Sequence, residues 1–96
     1  MPKRVDLSHS EIREALRNVG FYVHDTAKLG SGFPDLVVVD PYSGRVWFIE
    51  VKTDGGRFTA PEIEFLVAIT PRIYRVYNDP DKAVQSMMEE SRKSKA

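Results

Sequence analysis

Two short apolar runs joined by a turn constrain the fold of this chain more than any other feature. Residues 36–39 (LVVV) and 46–49 (VWFI) have the length and the β-branched or aromatic composition of buried strands. Between them, residues 40–44 (DPYSG) are rich in turn-forming types. The pattern predicts a hairpin of two antiparallel strands.

Charged residues stand at the ends of this predicted hairpin. Asp35 precedes the first strand, and Glu50 and Lys52 close the second. Side chains two residues apart on a strand point to the same face, so Glu50 and Lys52 lie side by side, and the hairpin brings Asp35 close to them. Charges taken from water are normally paired or bound to metal. Two carboxylates and an ammonium that converge in this way suit a divalent cation and a phosphate.

These residue types have a defined chemistry when they meet. Asp35 and Glu50 can offer carboxylates, and the Val51 backbone carbonyl a third oxygen, to a hard cation such as Mg²⁺. The cation would polarise a phosphate, and Lys52 would orient the attacking water or stabilise the transition state. The alternative is a plain Glu–Lys pair at the end of a sheet, with Asp35 marking only a turn after Pro34.

The rest of the chain supplies helices and further strands. Segment 8–20 is predicted to be a helix, capped by Ser8 or Ser10 and ended by Gly20. Strands are predicted at 21–24, 45–53 and 73–77, and helices begin near residues 60 and 80. A helix between the third and fourth strands implies a crossover, hence an α/β fold with a mixed four-stranded sheet flanked by helices, in the order αβββαβα. We expect one domain over 1–96, with a loose arm at 1–7 and a polar tail at 91–96.

Composition limits the class of protein without identifying its partner. The chain has 14 basic and 14 acidic residues, so its bulk charge does not indicate nucleic acid. It contains no cysteine, which excludes disulfides and thiolate metal sites. No apolar run approaches the roughly 18 residues of a membrane span, and no secretory signal opens the chain. We therefore expect a cytoplasmic protein with no membrane partner, and so small a core would gain from dimerisation.

Three segments together resemble a known family. Residues 32–36 (GFPDL), 48–53 (FIEVKT) and 55–59 (GGRFT) are similar to the VRR-NUC domain of the PD-(D/E)xK nuclease superfamily, which is related to archaeal Holliday-junction resolvases. The resemblance covers roughly residues 11–66 and implies a restriction-endonuclease-like core. It also implies a Mg²⁺- or Mn²⁺-dependent DNA endonuclease that leaves a 5′-phosphate. The expected protein is a stand-alone, phage-type homodimer, acting in the host cytoplasm if phage-encoded, and selective for branched or junction DNA.

The resemblance also implies roles for individual residues. Asp35 and Glu50 correspond to the metal ligands, together with the Val51 carbonyl, and Lys52 to the catalytic lysine. Family members usually carry a glutamine where this chain has the candidate catalytic residue Glu62, which could coordinate a second cation through water, or repel the phosphate and lower activity. The acid expected on the first helix falls near His9 by strict register, and we favour Glu11 as the ligand, with Glu14 one turn further on. The alternative is that both acids only favour the start of the helix.

DNA contacts are expected from residues around these motifs. Thr53 and Arg57 are candidate phosphate contacts, and Ser31 lies in a glycine-flanked turn whose amides could approach a phosphate or serve only as a turn. The alternative function is a catalytically weak or inactive DNA-binding scaffold that keeps the nuclease fold. A small interaction module with no nucleic-acid role would require the motif match to be accidental.

Overall fold

The elements follow one another in the predicted order αβββαβα. The computed structural model describes residues 3–52, 56–69 and 71–95, without the side chains of 3–7, 71, 94 and 95. Its main elements are α1 (Lys3–Asn18), β1 (Tyr22–Asp25), β2 (Leu36–Val39), β3 (Val46–Val51), α2 (Ala60–Ile69), β4 (Tyr74–Tyr77) and α3 (Pro80–Lys95). Short 3-10 helices occupy Ala27–Leu29 and Pro71–Ile73.

The sheet is mixed and four-stranded, in the order β1-β2-β3-β4. β2 pairs with β1 and with β3 in antiparallel fashion, whereas β4 is parallel to β3. The predicted hairpin is confirmed, with Leu36 opposite Ile49 and Val39 opposite Val46. β3 is an interior strand, as its apolar character on both faces predicted.

Helices cover both faces of the sheet. On one face, α1 and α3 pack over a buried cluster to which they contribute Ile12, Leu16, Ala83 and Met87, and the strands contribute Val23, Leu36, Val38, Trp47, Ile49 and Val51. On the other face, the Phe65 ring of α2 lies 5.0 Å from Phe33 and 5.4 Å from Phe48, centroid to centroid. Alternation along the strands assigns Asp35, Phe48 and Glu50 to this second face, so the carboxylates lie on the side of α2.

Both ends of the chain are more helical than the sequence predicted. α1 begins at Lys3, so the expected loose arm is wrong for residues 3–7, and Ser8 and Ser10 lie inside the helix. Lys, Arg and Leu are good helix formers, and no glycine or proline interrupts residues 3–7. α3 likewise continues through the polar tail to Lys95, where the Ser91 hydroxyl donates to Asp40 Oδ2 at 2.8 Å.

The end of α1 is where the sequence placed it. Gly20 has φ +103°, and its N–H donates to the Arg17 carbonyl at 3.1 Å, while the Phe21 N–H donates to the Leu16 carbonyl at 3.2 Å. This pair of bonds is the Schellman arrangement, which favours glycine at the residue that turns left-handed.

Within the described part of the chain, no helix combines the length and apolarity that crossing a membrane requires.

Candidate active site

The hairpin brings Asp35 and Glu50 together. Asp35 lies one residue before the Leu36–Ile49 pair, and Glu50 one residue after it, so the two acids face each other across the strands. The Val51 N–H donates to Asp35 Oδ2 at 2.8 Å, which fixes the direction of that carboxylate. The Val51 N–H thus holds the Asp35 carboxylate, and Val51 also lines the pocket beside the two acids.

The two carboxylates are poorly compensated. Glu50 is 4% exposed, and its Oε1 has no hydrogen-bond partner among the described residues. Burial raises the pKa of Glu50 to about 8, and the charge of Asp35 acts in the same direction. Burial also raises the pKa of Asp35, although the Val51 N–H opposes that change. A nearby positive charge would stabilise the ionised form of two carboxylates whose pKa values are raised in this way.

Lys52 completes the group of charged residues. Its Nζ lies 3.5 Å from Glu50 Oε2 and 2.8 Å from Glu62 Oε1, and 5.4 Å from the centroid of the Phe58 ring. Burial lowers the pKa of Lys52, but the hydrogen bond and the charge of Glu62 raise it by more. The pKa of Lys52 is therefore above its usual value. Lys52 is therefore a fixed ammonium beside Glu50.

Glu62 has two structural roles. The Thr59 N–H donates to Glu62 Oε1 at 2.9 Å, and the Glu62 N–H donates to Thr59 Oγ1 at 3.3 Å. This reciprocal pair is a capping box at the start of α2. The same carboxylate oxygen accepts from Lys52, so one side chain links the first turn of α2 to the ammonium.

The loop before Asp35 is fixed from two sides. The Thr26 hydroxyl donates to the Pro34 carbonyl at 2.7 Å, and the Thr26 N–H donates to the Asp35 carbonyl at 2.8 Å. Gly32 has φ +87°, and a Cβ there would stand 2.5 Å from the backbone carbon and oxygen of Pro61. The glycine therefore allows close contact between the loop and α2, while Ser31 is exposed with φ +56° and does not line the pocket.

The carboxylates open into a pocket of about 700 Å³. Besides Asp35, Glu50 and Val51, its lining comprises His9, Ser10 and Arg13 of α1 and Asp25, Ala27 and Lys28 from the end of β1 and the following 3-10 helix. Glu11 is exposed and is not part of this lining, so the structure does not bring the favoured first-helix ligand to the site. The residue in strict register, His9, is the one that lines the pocket, because α1 turns Ile12 and Leu16 into the core.

Sequence reasoning missed a second charged group in this pocket. Asp25 Oδ2 lies 3.0 Å from His9 Nε2 and accepts from Arg13 Nη1 at 2.7 Å. Burial raises the pKa of Asp25, but hydrogen bonds from His9, the Ala27 N–H and Arg13 outweigh it and lower the pKa to about 2. The available sequence signal was the i, i+4 spacing of His9 and Arg13, which puts them on one helix face.

The donor set fits a hard cation that keeps most of its waters. Within the described ranges, no three His, Cys, Asp or Glu side chains are placed to share a metal. Asp35 and Glu50 offer two carboxylates, and Mg²⁺ is commonly held by one or two carboxylates with water and substrate phosphate completing its shell. The unpartnered, buried Glu50 oxygen is the observation that supports this fit.

The predicted DNA contact Arg57 stands apart from the pocket. Arg57 is exposed and is not among the lining residues. Thr53 lies outside the described residues.

Comparison with known proteins places the chain beside one family. A family model described as the VRR-NUC domain matches residues 2–78. A solved structure described as "VRR_NUC domain" aligns with a TM-score of 0.72 at 20% identity, covering 88% of this chain and 95% of that chain. At that identity the likeness shows the fold alone. No curated protein matches the sequence.

Proposed function

Because the chain belongs to the VRR-NUC family, a family of nuclease domains, we propose that it is a metal-dependent DNA endonuclease that hydrolyses phosphodiester bonds and leaves a 5′-phosphate. One observation carries the proposal. The buried carboxylate of Glu50 and the half-buried carboxylate of Asp35 meet at an open pocket, with the Lys52 ammonium 3.5 Å from Glu50. An inactive member of the fold would have no need to keep this uncompensated pair.

Each side chain has a task in this reaction. Asp35 and Glu50, with the Val51 carbonyl, would hold Mg²⁺ or Mn²⁺, which when bound supplies Lewis-acid polarisation of the phosphate. The Lys52 ammonium stabilises negative charge that develops on the phosphate oxygens, and its bond to Glu62 fixes it before substrate arrives. Glu62 takes the place of the family's usual glutamine and acts as the support of Lys52.

The substrate side of the proposal is DNA, with branched DNA as the preferred class. Ser31, Thr53 and Arg57 are proposed phosphate contacts, and exposure of Ser31 and Arg57 supports that role. A homodimer would present two sites related by a two-fold axis, which suits a nearly symmetric branch. α2 supports dimerisation, because Ile63 and Val67 on it are 48% and 75% exposed.

The alternative proposal is a DNA-binding scaffold with weak or no catalysis. Glu62 favours it, because an acid 2.8 Å from the lysine ammonium neutralises charge that the phosphate would otherwise meet. Under this alternative, DNA binding persists while hydrolysis is slow with any divalent cation.

A cleavage panel separates the two proposals. Four-way junction, flap, splayed and linear DNA are incubated with Mg²⁺ or Mn²⁺ and wild-type protein, Lys52→Ala, or Lys82→Ala as an exposed-lysine control. We expect metal-dependent nicking by the wild type and by Lys82→Ala, and a loss of about 100-fold or more in Lys52→Ala. Absence of nicking on every substrate, or unchanged nicking by Lys52→Ala, would contradict the nuclease. Salt-sensitive binding without cleavage would support the scaffold.

A further inference from the structure

The pocket is lined by two cationic side chains that the proposed chemistry does not use. Arg13 of α1 and Lys28 of the 3-10 helix after β1 line the same pocket as Asp35 and Glu50. Within the described ranges, Lys28 forms no ion pair. The pocket therefore combines the two carboxylates with a paired guanidinium, Arg13, and with an ammonium, Lys28, that no described carboxylate neutralises.

Asp25 holds the Arg13 side chain in place. Its Oδ2 accepts from Arg13 Nη1 at 2.7 Å and lies 3.0 Å from His9 Nε2, while its Oδ1 accepts from the Ala27 N–H at 3.1 Å. Arg13 Nε donates to Glu14 at 2.8 Å. These two bonds use two of the five N–H donors that a guanidinium carries. The other three donors form no hydrogen bond within the described residues, and Arg13 lines the pocket.

A nucleic-acid strand supplies further anions beside the phosphate that reacts. The scissile phosphate has a backbone phosphate on either side, and guanidinium and ammonium groups are the side chains that recognise phosphate. Resting on the proposed nuclease function, we propose that Arg13 and Lys28 bind the phosphate adjacent to the scissile one. Asp25 is the positioning residue that holds Arg13 in the orientation this contact requires.

A purely structural tie between α1 and β1 is the competing interpretation, and Arg17 provides a matched control for it. Arg17 Nη1 donates to Glu14 at 2.9 Å, and its Nη2 donates to the Val23 carbonyl of β1 at 2.9 Å. Arg17 thus joins the same helix to the same strand as Arg13 does. It does not line the pocket.

DNA binding by fluorescence anisotropy tests the phosphate contact. All proteins carry Lys52→Ala to prevent cleavage, and a labelled four-way junction and a labelled duplex are titrated in Mg²⁺ over a series of salt concentrations. We expect Arg13→Gln to weaken binding about tenfold on both DNAs and to lower the slope of log K against log salt by about one. Arg17→Gln should change binding less than about twofold and leave that slope intact.

Arg13→Gln could weaken binding by disturbing the fold, and Lys28→Gln tests the same phosphate contact without that risk. Lys28 is exposed on a short surface helix, so its substitution should not affect folding. Its removal should also lower the salt slope by about one while leaving the thermal unfolding midpoint unchanged. Arg13→Gln binding that matches Arg17→Gln, together with an unchanged slope in Lys28→Gln, would overturn the proposal.

Asp25→Asn tests whether Asp25 positions Arg13, because the two interpretations predict opposite changes in DNA affinity. Removal of a negative charge near DNA should strengthen binding if Asp25 is only a surface charge. Positioning predicts weaker binding by about fivefold, with no further loss when Asp25→Asn is added to Arg13→Gln. Asp25→Glu should recover part of the affinity, because it restores a carboxylate acceptor. Tighter binding by Asp25→Asn would contradict the positioning role.

Cleavage and binding together distinguish an absent phosphate contact from an absent nuclease activity. Normal cleavage by the wild type with normal binding by Arg13→Gln would remove the phosphate contact and leave the nuclease standing. Binding without cleavage, with the expected loss in Arg13→Gln, would retain the contact and remove the nuclease. A wild type that binds neither DNA would overturn both.

Discussion

Among single residues, Glu50 shows most clearly what the site requires. Its carboxylate is almost wholly buried next to Asp35, and Lys52 divides its interactions between Glu50 and Glu62. A single lysine cannot compensate three acids. The raised pKa of Glu50 favours its protonated form near neutral pH, and a bound cation would favour the ionised form.

The pH dependence of stability follows from Glu50. Its pKa is about 8 in the folded protein against an ordinary 4.5, so between these values the folded state binds more protons than the unfolded state. The free energy of unfolding contributed by this group is greatest below about pH 4.5 and falls as pH rises to about 8. In EDTA, Glu50→Gln should exceed wild type in stability by roughly 2–4 kcal/mol near pH 8 and by much less near pH 5. Urea unfolding at the two pH values measures the difference, and an equal difference at both would refute it.

Glu62 combines a structural task with an electrostatic one, and two substitutions separate them. Glu62→Ala loses the acceptor for the Thr59 N–H and should lower the free energy of unfolding by about 1 kcal/mol. Glu62→Gln keeps an acceptor oxygen, so its stability should fall less and its cleavage rate should stay the same or rise. Thermal unfolding and nicking rates compare the two variants. A large loss of cleavage in Glu62→Gln would instead assign the acid a direct role at the metal.

Sequence reasoning located some site residues and missed others for a physical reason. Asp35, Glu50 and Lys52 were placed correctly because strand alternation and a short turn fix their relative positions locally. The Arg13–Asp25 contact depends on how α1 lies across β1, which no local periodicity determines. Glu11 was favoured for its charge, whereas helix geometry presents His9 to the pocket.

At the level of elements, α2 and the loop before β2 act as one support for the site. Gly32 lies against Pro61 in the first turn of α2, and that turn carries Glu62, which holds Lys52. Displacement of the turn would therefore move the lysine relative to Asp35. The order of elements was predictable because turn residues and apolar runs mark each one. The start of α1 was not, because serine residues that often cap helices can also lie within them.

Two glycine substitutions separate backbone strain from steric contact. Gly30→Ala adds a Cβ with no atom within 4 Å at φ +65°, so it should lower the free energy of unfolding by about 1 kcal/mol. Gly32→Ala adds similar strain plus overlap with the Pro61 backbone, so it should cost about 2–4 kcal/mol and slow cleavage. Chemical denaturation and nicking assays measure both. Equal losses for the two variants would mean that the close contact with Pro61 does not matter.

At the level of the whole molecule, the proposed homodimer would associate through the outer surface of α2. The chain has a formal net charge of zero, so its overall charge would neither oppose a dimer nor attract DNA over a long range. Ten residues of α2 include no buried one, although most of them are apolar. Apolar side chains left exposed in this way favour contact with a second copy.

A single charge on α2 tests this association. Val67→Lys should convert a homodimer to a monomer, because it replaces an apolar side chain of α2 that is 75% exposed with an ammonium. Met88→Lys, on α3 and on the opposite side of the sheet, serves as the control and should leave the dimer intact. Sedimentation velocity gives the mass of each variant. A monomeric wild type, or a Val67→Lys protein that remains dimeric, would contradict dimerisation through α2.

Calorimetric titration with Mn²⁺ tests most directly whether the Asp35–Glu50 pair is a cation site. Near pH 7 the wild type should bind Mn²⁺ and release a proton from Glu50, so the measured enthalpy should vary with the ionisation enthalpy of the buffer. Lys52→Ala should still bind, whereas Asp35→Asn and Glu50→Gln should each bind at least about tenfold more weakly. Wild-type protein that binds no Mn²⁺, or an Asp35→Asn protein that binds it equally well, would contradict the assignment.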